Sequence, residues 1–463
     1  MKLAVFVFIL LMAPYGYGLS LSDFLREVSN GHPELAALEA QSGQILADIE
    51  YAQGAFDPEF IHKSSARLAG YYDGLYADQA FVQPLMDYNA ELFSRYRISD
   101  GQFPVYEQQN QTMSGGEAAL GIRLSLLQNR DFDKNRFKLQ KSSINQRKWQ
   151  QQVKIAQSEF YYSAIDAYLN WFQANHYLTL NQRLVDVTSK RRKGIEKRVS
   201  SGDLAAIALV EFDTRLMERK VALLRAKNKV QAQQQKLGYF VRSPQNSEAL
   251  TAASADGLIE WPAPLNVGSD TTTSSELHPA IQAKQFELQV QRQSVRLAKS
   301  ELLPKLDLEA AVSQDLGAGP NSLEKAEAKI GLQFSVPLAQ RQAKAQKSKA
   351  LLEMREKEAQ LGSLTLAIET QLNEAQVNLA YAQQLYRVQE QQMRLAATLF
   401  EQEKRQFDLG ASDFFLLNNR ESEAFDAELK TIGARFNLYR KQLHVLKIKA
   451  SLHHEFVKSL ITS

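Results

Sequence analysis

The sequence contains no cysteine. That excludes a disulfide framework, an iron–sulfur cluster, a cysteine-ligated zinc site and a thiol nucleophile. It is nearly devoid of net charge, with 55 lysines and arginines against 52 aspartates and glutamates, and so offers no electrostatic footprint for nucleic acid. Chain breakers are scarce: 22 glycines and 12 prolines in 463 residues. Their scarcity, beside abundant Ala, Leu, Gln, Glu, Lys and Arg, points to long helices. No dinucleotide-binding glycine motif, phosphate loop, paired-histidine zinc motif or nucleophile elbow occurs, so neither a cofactor nor enzymatic activity is expected. The seven histidines are scattered apart from His453-His454. Adjacent residues on a helix point ~100° apart, which makes that pair a poor chelate, and no metal site is expected.

The N-terminus carries Lys2 and then an apolar run from Leu3 to Ala13, followed by Pro14 and Gly16-Tyr17-Gly18. The run is too short for a ~30 Å bilayer core and has the layout of a secretory signal peptide, cleaved after Gly18. Without a cysteine, lipidation of the new N-terminus is excluded. The exported chain is then periplasmic, secreted or a β-barrel.

The remainder is written twice. Gly31-His32-Pro33 and Leu277-His278-Pro279 open two helical stretches 246 residues apart, and Pro58 and Pro304 close them at the same offset. Later landmarks, Gly202 and Gly410, are 208 apart, so the first copy holds about 38 extra residues. Residues 19–241 form the first repeat, 242–275 a linker of low complexity around Trp261, and 276–463 the second repeat. Proline suits the first helical position, where its missing N–H costs nothing. His32 and His278 read as capping or loop residues.

Four segments alternate apolar and polar residues with the period of a strand. Leu306, Leu308, Ala310 and Val312 alternate with Lys305, Asp307, Glu309 and Ala311; Ile330, Leu332, Phe334 and Val336 with Lys329, Gly331, Gln333 and Ser335. Leu120, Ile122, Leu124 and Leu126 alternate with Ala119, Gly121, Arg123 and Ser125, and a weaker segment runs from Phe60 to Leu68. One apolar and one polar face fits a sandwich, or a membrane barrel with a wet lumen. Four strands cannot close a barrel, and an open edge is forbidden in lipid, so a membrane reading requires several chains. The extra length of the first repeat falls in residues 70–116, read as a long loop. Nine aromatic residues crowd it between Tyr71 and Tyr106. An aromatic membrane rim and a compact external loop account for them equally.

Long heptads follow. Leu361, Thr365, Ile368, Leu372, Ala375, Leu379, Ala382, Tyr386, Gln389, Met393, Ala396, Phe400, Glu403 and Phe407 are spaced alternately by four and three. Phe425 to Ala450 repeats the pattern, and Leu209, Leu216, Leu223, Val230 and Leu237 recur every seven. Such spacing gives left-handed knobs-into-holes packing. Helices are expected over about Arg341–Asp408 and Leu139–Val199, each ~90–100 Å long. The run Lys190-Arg191-Arg192-Lys193 reads as a solvated helix face, with a protein contact as the alternative.

In the order of these features, twice over, the sequence resembles the TolC family of outer-membrane efflux proteins. The features that carry the resemblance are the His-Pro openings, Ala55-Phe56-Asp57-Pro58, Glu301-Leu302-Leu303-Pro304 and Gly331-Leu332-Gln333-Phe334-Ser335-Val336-Pro337-Leu338. The resemblance implies a mainly α protein with membrane β: a homotrimer whose twelve strands form one outer-membrane barrel and whose twelve helices form a periplasmic tunnel. It implies a passive conduit in an efflux or type I secretion system of a Gram-negative cell. The partners are outer-membrane lipid, a periplasmic adaptor and an inner-membrane pump of ABC or RND type. Docking falls to the turns Gly202, Asp203, Leu204 and Gly410, Ala411, Ser412, Asp413, although glycines just past helix ends also have a purely structural explanation. Asp413, Asn418 and Asn419 are the candidate constriction groups. Arg123, Ser125, Asp307, Glu309, Lys329 and Gln333 are the candidate lumen groups. A periplasmic adaptor and a structural coiled-coil protein are the rival readings; neither explains two strand pairs in a duplicated chain.

Overall fold

A computed structural model describes residues 20–241, 261, 265, 277–453, 457 and 459. The expected signal peptide and all of the linker except Trp261 and Leu265 lie outside the described residues, as does His454. The described chain forms two units. One gathers residues up to Leu38, Val153–Pro279 and those from Leu366 onward; the other gathers Glu39–Gln152 and Ala280–Thr365.

Among the described residues, seven α-helices carry the chain: α1 (Leu21–Ser29), α2 (Pro33–Gln53), α3 (Lys134–Ser200), α4 (Ala206–Gly238), α5 (Pro279–Ser300), α6 (Arg341–Asp408) and α7 (Phe414–Ile448). Pro33 and Pro279 are the first residues of α2 and α5, as the two openings require. The histidines before them do more than cap. His32 Nε2 lies 3.3 Å from the Tyr239 carbonyl and His278 Nε2 lies 2.7 Å from the Ile448 carbonyl. Each repeat therefore ties its opening residue to the end of its last helix. Burial pulls the His278 imidazole below its ordinary pKa, against the opposing pull of that carbonyl bond.

The heptad positions are the covered positions. On α6 the expected stripe from Leu361 to Phe407 is shielded throughout, with Ala375 and Ala382 fully buried. On α4, Phe212, Leu216, Leu223, Ala226, Val230, Gln233 and Leu237 are buried on alternating steps of the same seam. The largest cluster of buried residues among those described lies elsewhere. Phe24 and Leu25 of α1 pack with Tyr161, Tyr168, Trp171 and Phe172 of α3 and with Phe436 and Leu443 of α7. Trp261, one of the two described linker residues, closes this cluster. Its ring lies 4.7 Å from Phe436 and 4.7 Å from His176, and the Arg435 guanidinium sits 3.9 Å above it. Such aromatic contacts add ~0.5–1.5 kcal/mol each beyond the area they bury.

The described strands form one antiparallel sheet in chain order: β1 (Glu59–Ala66), β2 (Leu75–Pro84), β3 (Ala90–Asp100), β4 (Glu117–Ser125), β5 (Lys305–Asp315) and β6 (Glu327–Ser335). The four alternating segments are β1, β4, β5 and β6. The expectation of a loop over 70–116 is corrected, because β2 and β3 lie within it. Their alternation is hidden by residues of the wrong polarity on each face. Phe93 stands on the same face as Glu91, Arg95 and Arg97, while Gln79, Gln83 and Ser94 stand on the other. The structural partner of Phe93 is Gly121, directly opposite on β4. A Cβ on Gly121 would lie 2.2 Å from the Phe93 ring, so the aromatic fits only where the neighbouring side chain is missing.

Candidate functional site

The six expected lumen residues share one face of this sheet. Arg123 on β4 stands between Glu91 on β3 and Glu309 on β5, and its guanidinium reaches both, at 3.1 and 3.0 Å. One row along, Ser125 Oγ donates to Asp307 at 2.8 Å, and Gln333 is opposite Asp307. Lys329 lies on the same face and pairs with Glu327 at 2.5 Å. The other face carries Phe60, Phe81, Leu92, Leu120, Val312, Ile330, Leu332 and Phe334, all exposed in the single chain. Leaving such side chains in water forgoes ~1.5–3 kcal/mol each. The sheet also ends in two unpaired edges, β1 and β6.

The two helix turns have different construction. After α3, Gly202 adopts φ +81°, and the N–H groups of Asp203 and Leu204 both return to the Arg198 carbonyl. Arg198 Nε donates to the Asp203 carboxylate at 2.6 Å, and its guanidinium lies 5.4 Å from the Phe407 ring of α6. After α6, Gly410 adopts φ +76° and the Ala411 N–H returns to the Gln406 carbonyl at 2.9 Å. Glycine is favoured at both turns because φ is positive there. Ser412 Oγ donates to Glu403. Asp413 is the N-cap of α7, accepting the Leu416 N–H at 2.7 Å. Of the two asparagines that follow, Asn418 is buried and Asn419 donates to Glu423 at 3.1 Å.

An ionic cluster that sequence reasoning missed lies two turns into α7. Glu421, only 7% exposed, accepts from Arg191 of α3 at 2.9 Å and from Arg219 of α4 at 3.1 Å. Arg219 also donates to Thr188. One carboxylate thus joins both helices of the first hairpin to the second. Next to it, Arg192 of α3 holds Asp213 of α4 at 2.5 Å. That hydrogen bond keeps the Asp213 carboxyl below its usual range, and the Arg192 guanidinium is raised in return. Arg191 and Arg192 are therefore interhelical clamps, a correction to the solvated face expected for the basic run. The signal was faint, because their partners are 21 to 230 residues away and depend on how three helices are rotated.

Two further stripes are exposed in the single chain. Ile207, Val210, Met217, Val221 and Leu224 run along α4, and Val377, Tyr381, Val388 and Leu395 along α6, both with heptad spacing. They are distinct from the seams already filled. Among the described residues, no helix is long and apolar enough to cross a membrane.

Residues 273–448 match the family model described as outer membrane efflux protein. A sequence comparison with curated proteins gives no match. Among solved structures the chain is similar to the outer-membrane channel OprN, with 15% identity, 92% of this chain and 89% of that one covered, and a TM-score of 0.64. It is similar to the CmeC outer membrane channel of Campylobacter jejuni at 13% identity, covering 95% and 88%, with a TM-score of 0.63. VceC, an outer membrane protein of Vibrio cholerae, gives 14%, 92% and 95%, and 0.63. These likenesses show that the fold of the TolC-like outer-membrane channels extends over nearly the whole chain.

Proposed function

We infer that this chain, with the fold of the TolC-like outer-membrane efflux proteins and their family's sequence signature in its second repeat, is the outer-membrane channel of a tripartite efflux or type I secretion system. It is a passive conduit from the periplasm to the exterior. The observation that carries this reading is the sheet: an apolar face open on one side, an ionic face on the other, and an unpaired strand at each edge. Lipid covers the first face, water fills the second, and only closure satisfies the edges.

Closure needs further copies of the chain. The sheet has an even number of strands running alternately up and down, so β6 of one copy meets β1 of the next antiparallel, as membrane barrels require. In the homotrimer carried over from the family, three chains of six strands make an eighteen-stranded barrel instead of the twelve expected from four. The exposed heptad stripes on α4 and α6 support this assembly, each offering a second seam to a neighbouring copy.

The helix turns at Gly202–Leu204 and Gly410–Asp413 dock a periplasmic adaptor, and through it an inner-membrane pump that supplies the energy. Exposed Leu409 and Phe415 beside the second turn give that contact an apolar anchor. Asp413 and Asn419 face the constriction. The Glu421 cluster holds the hairpins together in the closed state, and docking loosens it.

Fractionation followed by gel electrophoresis tests the reading. An outer-membrane trimer that survives mild SDS and dissociates on boiling is expected. A soluble periplasmic monomer would overturn it.

A further inference from the structure

The polar face of the sheet is open at one end and covered at the other. At the end formed by Glu59, Pro84, Ser125 and Lys305, Arg123 is 51% exposed and its partner Glu309 48%. At the opposite end Arg97 and Asp78, on the same face and paired at 2.6 Å, are 11% and 13% exposed. The cover is the connection from β3 to β4. It leaves β3 at Gly101, where φ is +90° and a Cβ would lie 2.8 Å from the Asp73 carbonyl oxygen. It re-enters β4 at Gly116, where φ is +79° and a Cβ would lie 2.6 Å from the Arg97 carbonyl oxygen.

Between these pinned ends the segment turns over the polar face. A short 3-10 helix, Val105–Asn110, lies at its centre. Arg97 Nη1 donates to the Gln109 carbonyl at 2.6 Å, and Arg67 donates to Glu107 at 2.7 Å. Both arginines are on the polar side, and each holds the segment from below. Thr112 exchanges hydrogen bonds with Ser99, and the Met113 N–H donates to Asp315 at 2.9 Å. Four residues on three stretches, Arg97 and Ser99 on β3, Arg67 in the β1–β2 turn and Asp315 on β5, fix this strap, so it is not a free surface loop.

We propose that the strap Gly101–Gly116 lies inside the lumen and narrows the outer mouth of the barrel, acting as a size filter. This rests on the channel reading. An eighteen-stranded barrel is wide enough to leave an open aqueous pore, and three straps, one from each chain, reduce it. Val105, Gln108 and Gln109 of the strap are exposed and uncharged, and so is Tyr106, whose hydroxyl reaches Arg67. The charges beneath them are paired with one another. The strap therefore limits bulk and leaves the ion preference of the pore unchanged.

The absence of native cysteine allows a clean test. Tyr106→Cys is purified as the trimer, inserted into a planar bilayer and treated with a maleimide-coupled polyethylene glycol. The expected result is a stepwise fall in single-channel current, with up to three steps, while Tyr71→Cys in the β1–β2 turn is labelled without effect. In a second variant, residues 102–114 are replaced by a Gly-Ser turn; conductance should rise severalfold with an unchanged cation-to-anion permeability ratio. Channels whose current ignores the label at position 106 overturn the proposal and leave the channel reading intact. A wild-type protein that forms no channels defeats the channel reading itself.

Discussion

The two repeats share a helical plan and differ in what they add to it. Both open with His-Pro, and both tie that histidine to the last carbonyls of their own hairpin, Tyr239 and Ile448. Both turn at a glycine of positive φ. Yet the first repeat supplies four strands and a strap where the second supplies two, and its turn rests on an exposed Arg198–Asp203 pair where the second is capped by Asp413. The helices cannot diverge far, because each must keep the heptad seam it presents to its partner helix. Strands can be added in pairs, because a hairpin inserted into an up-and-down sheet preserves the direction of every other strand.

The largest expected effect separates the hairpins from each other. Glu421→Gln removes the carboxylate shared by Arg191 and Arg219 and leaves two guanidinium groups facing each other. Breaking a buried pair in this way costs ~3–5 kcal/mol. Conductance of the reconstituted trimer should rise severalfold, and Glu421→Asp should restore most of the closure. Next in size is Gly121→Ala, which drives a methyl group into the Phe93 ring. Overpacking of this kind costs ~1–3 kcal/mol, read as a lower temperature of trimer dissociation in SDS. The double variant with Phe93→Ala should recover it, which a loop over residues 70–116 could not explain.

The two turns differ in what their carboxylates contribute. Asp413→Ala loses a helix cap worth ~1 kcal/mol. Asp203→Ala breaks an exposed pair worth ~0–1 kcal/mol, so chemical denaturation should rank the first variant as the less stable. The smallest effect is one of pH. Asp213 is held below the ordinary carboxylate range by Arg192, so its contribution is complete above ~pH 4 and is lost as pH falls through its own lower pKa. The stability difference between the wild type and Asp213→Asn should be present at neutral pH and vanish in acid.

Much of this was legible in the sequence, for physical reasons. β4, β5 and β6 alternate because each carries one apolar and one polar face of the same sheet. The α6 seam shows because a heptad cannot wander over so long a helix. Pro33 and Pro279 mark helix starts because their rings fit nowhere else in a helix. The rest was hidden where one residue's place depends on another far away. Phe93 looks out of phase until Gly121 is set opposite it. Arg191 and Arg192 look solvated until Glu421 and Asp213 are brought beside them. Asp413 reads as a free acid near a turn, and its carboxylate is in fact occupied by the Leu416 N–H.

The central claim is that the first repeat places four strands in the membrane, including the two that its sequence conceals. The most direct measurement is the accessibility of single nitroxide labels placed along β3, at residues 91 to 98, in the reconstituted trimer. The account predicts a period of two: labels at Leu92, Ser94, Tyr96 and Ile98 collide with oxygen dissolved in lipid, and those at Glu91, Phe93 and Arg95 with a water-soluble nickel chelate. Uniform exposure to the chelate along the whole stretch, as an external loop would give, would contradict it.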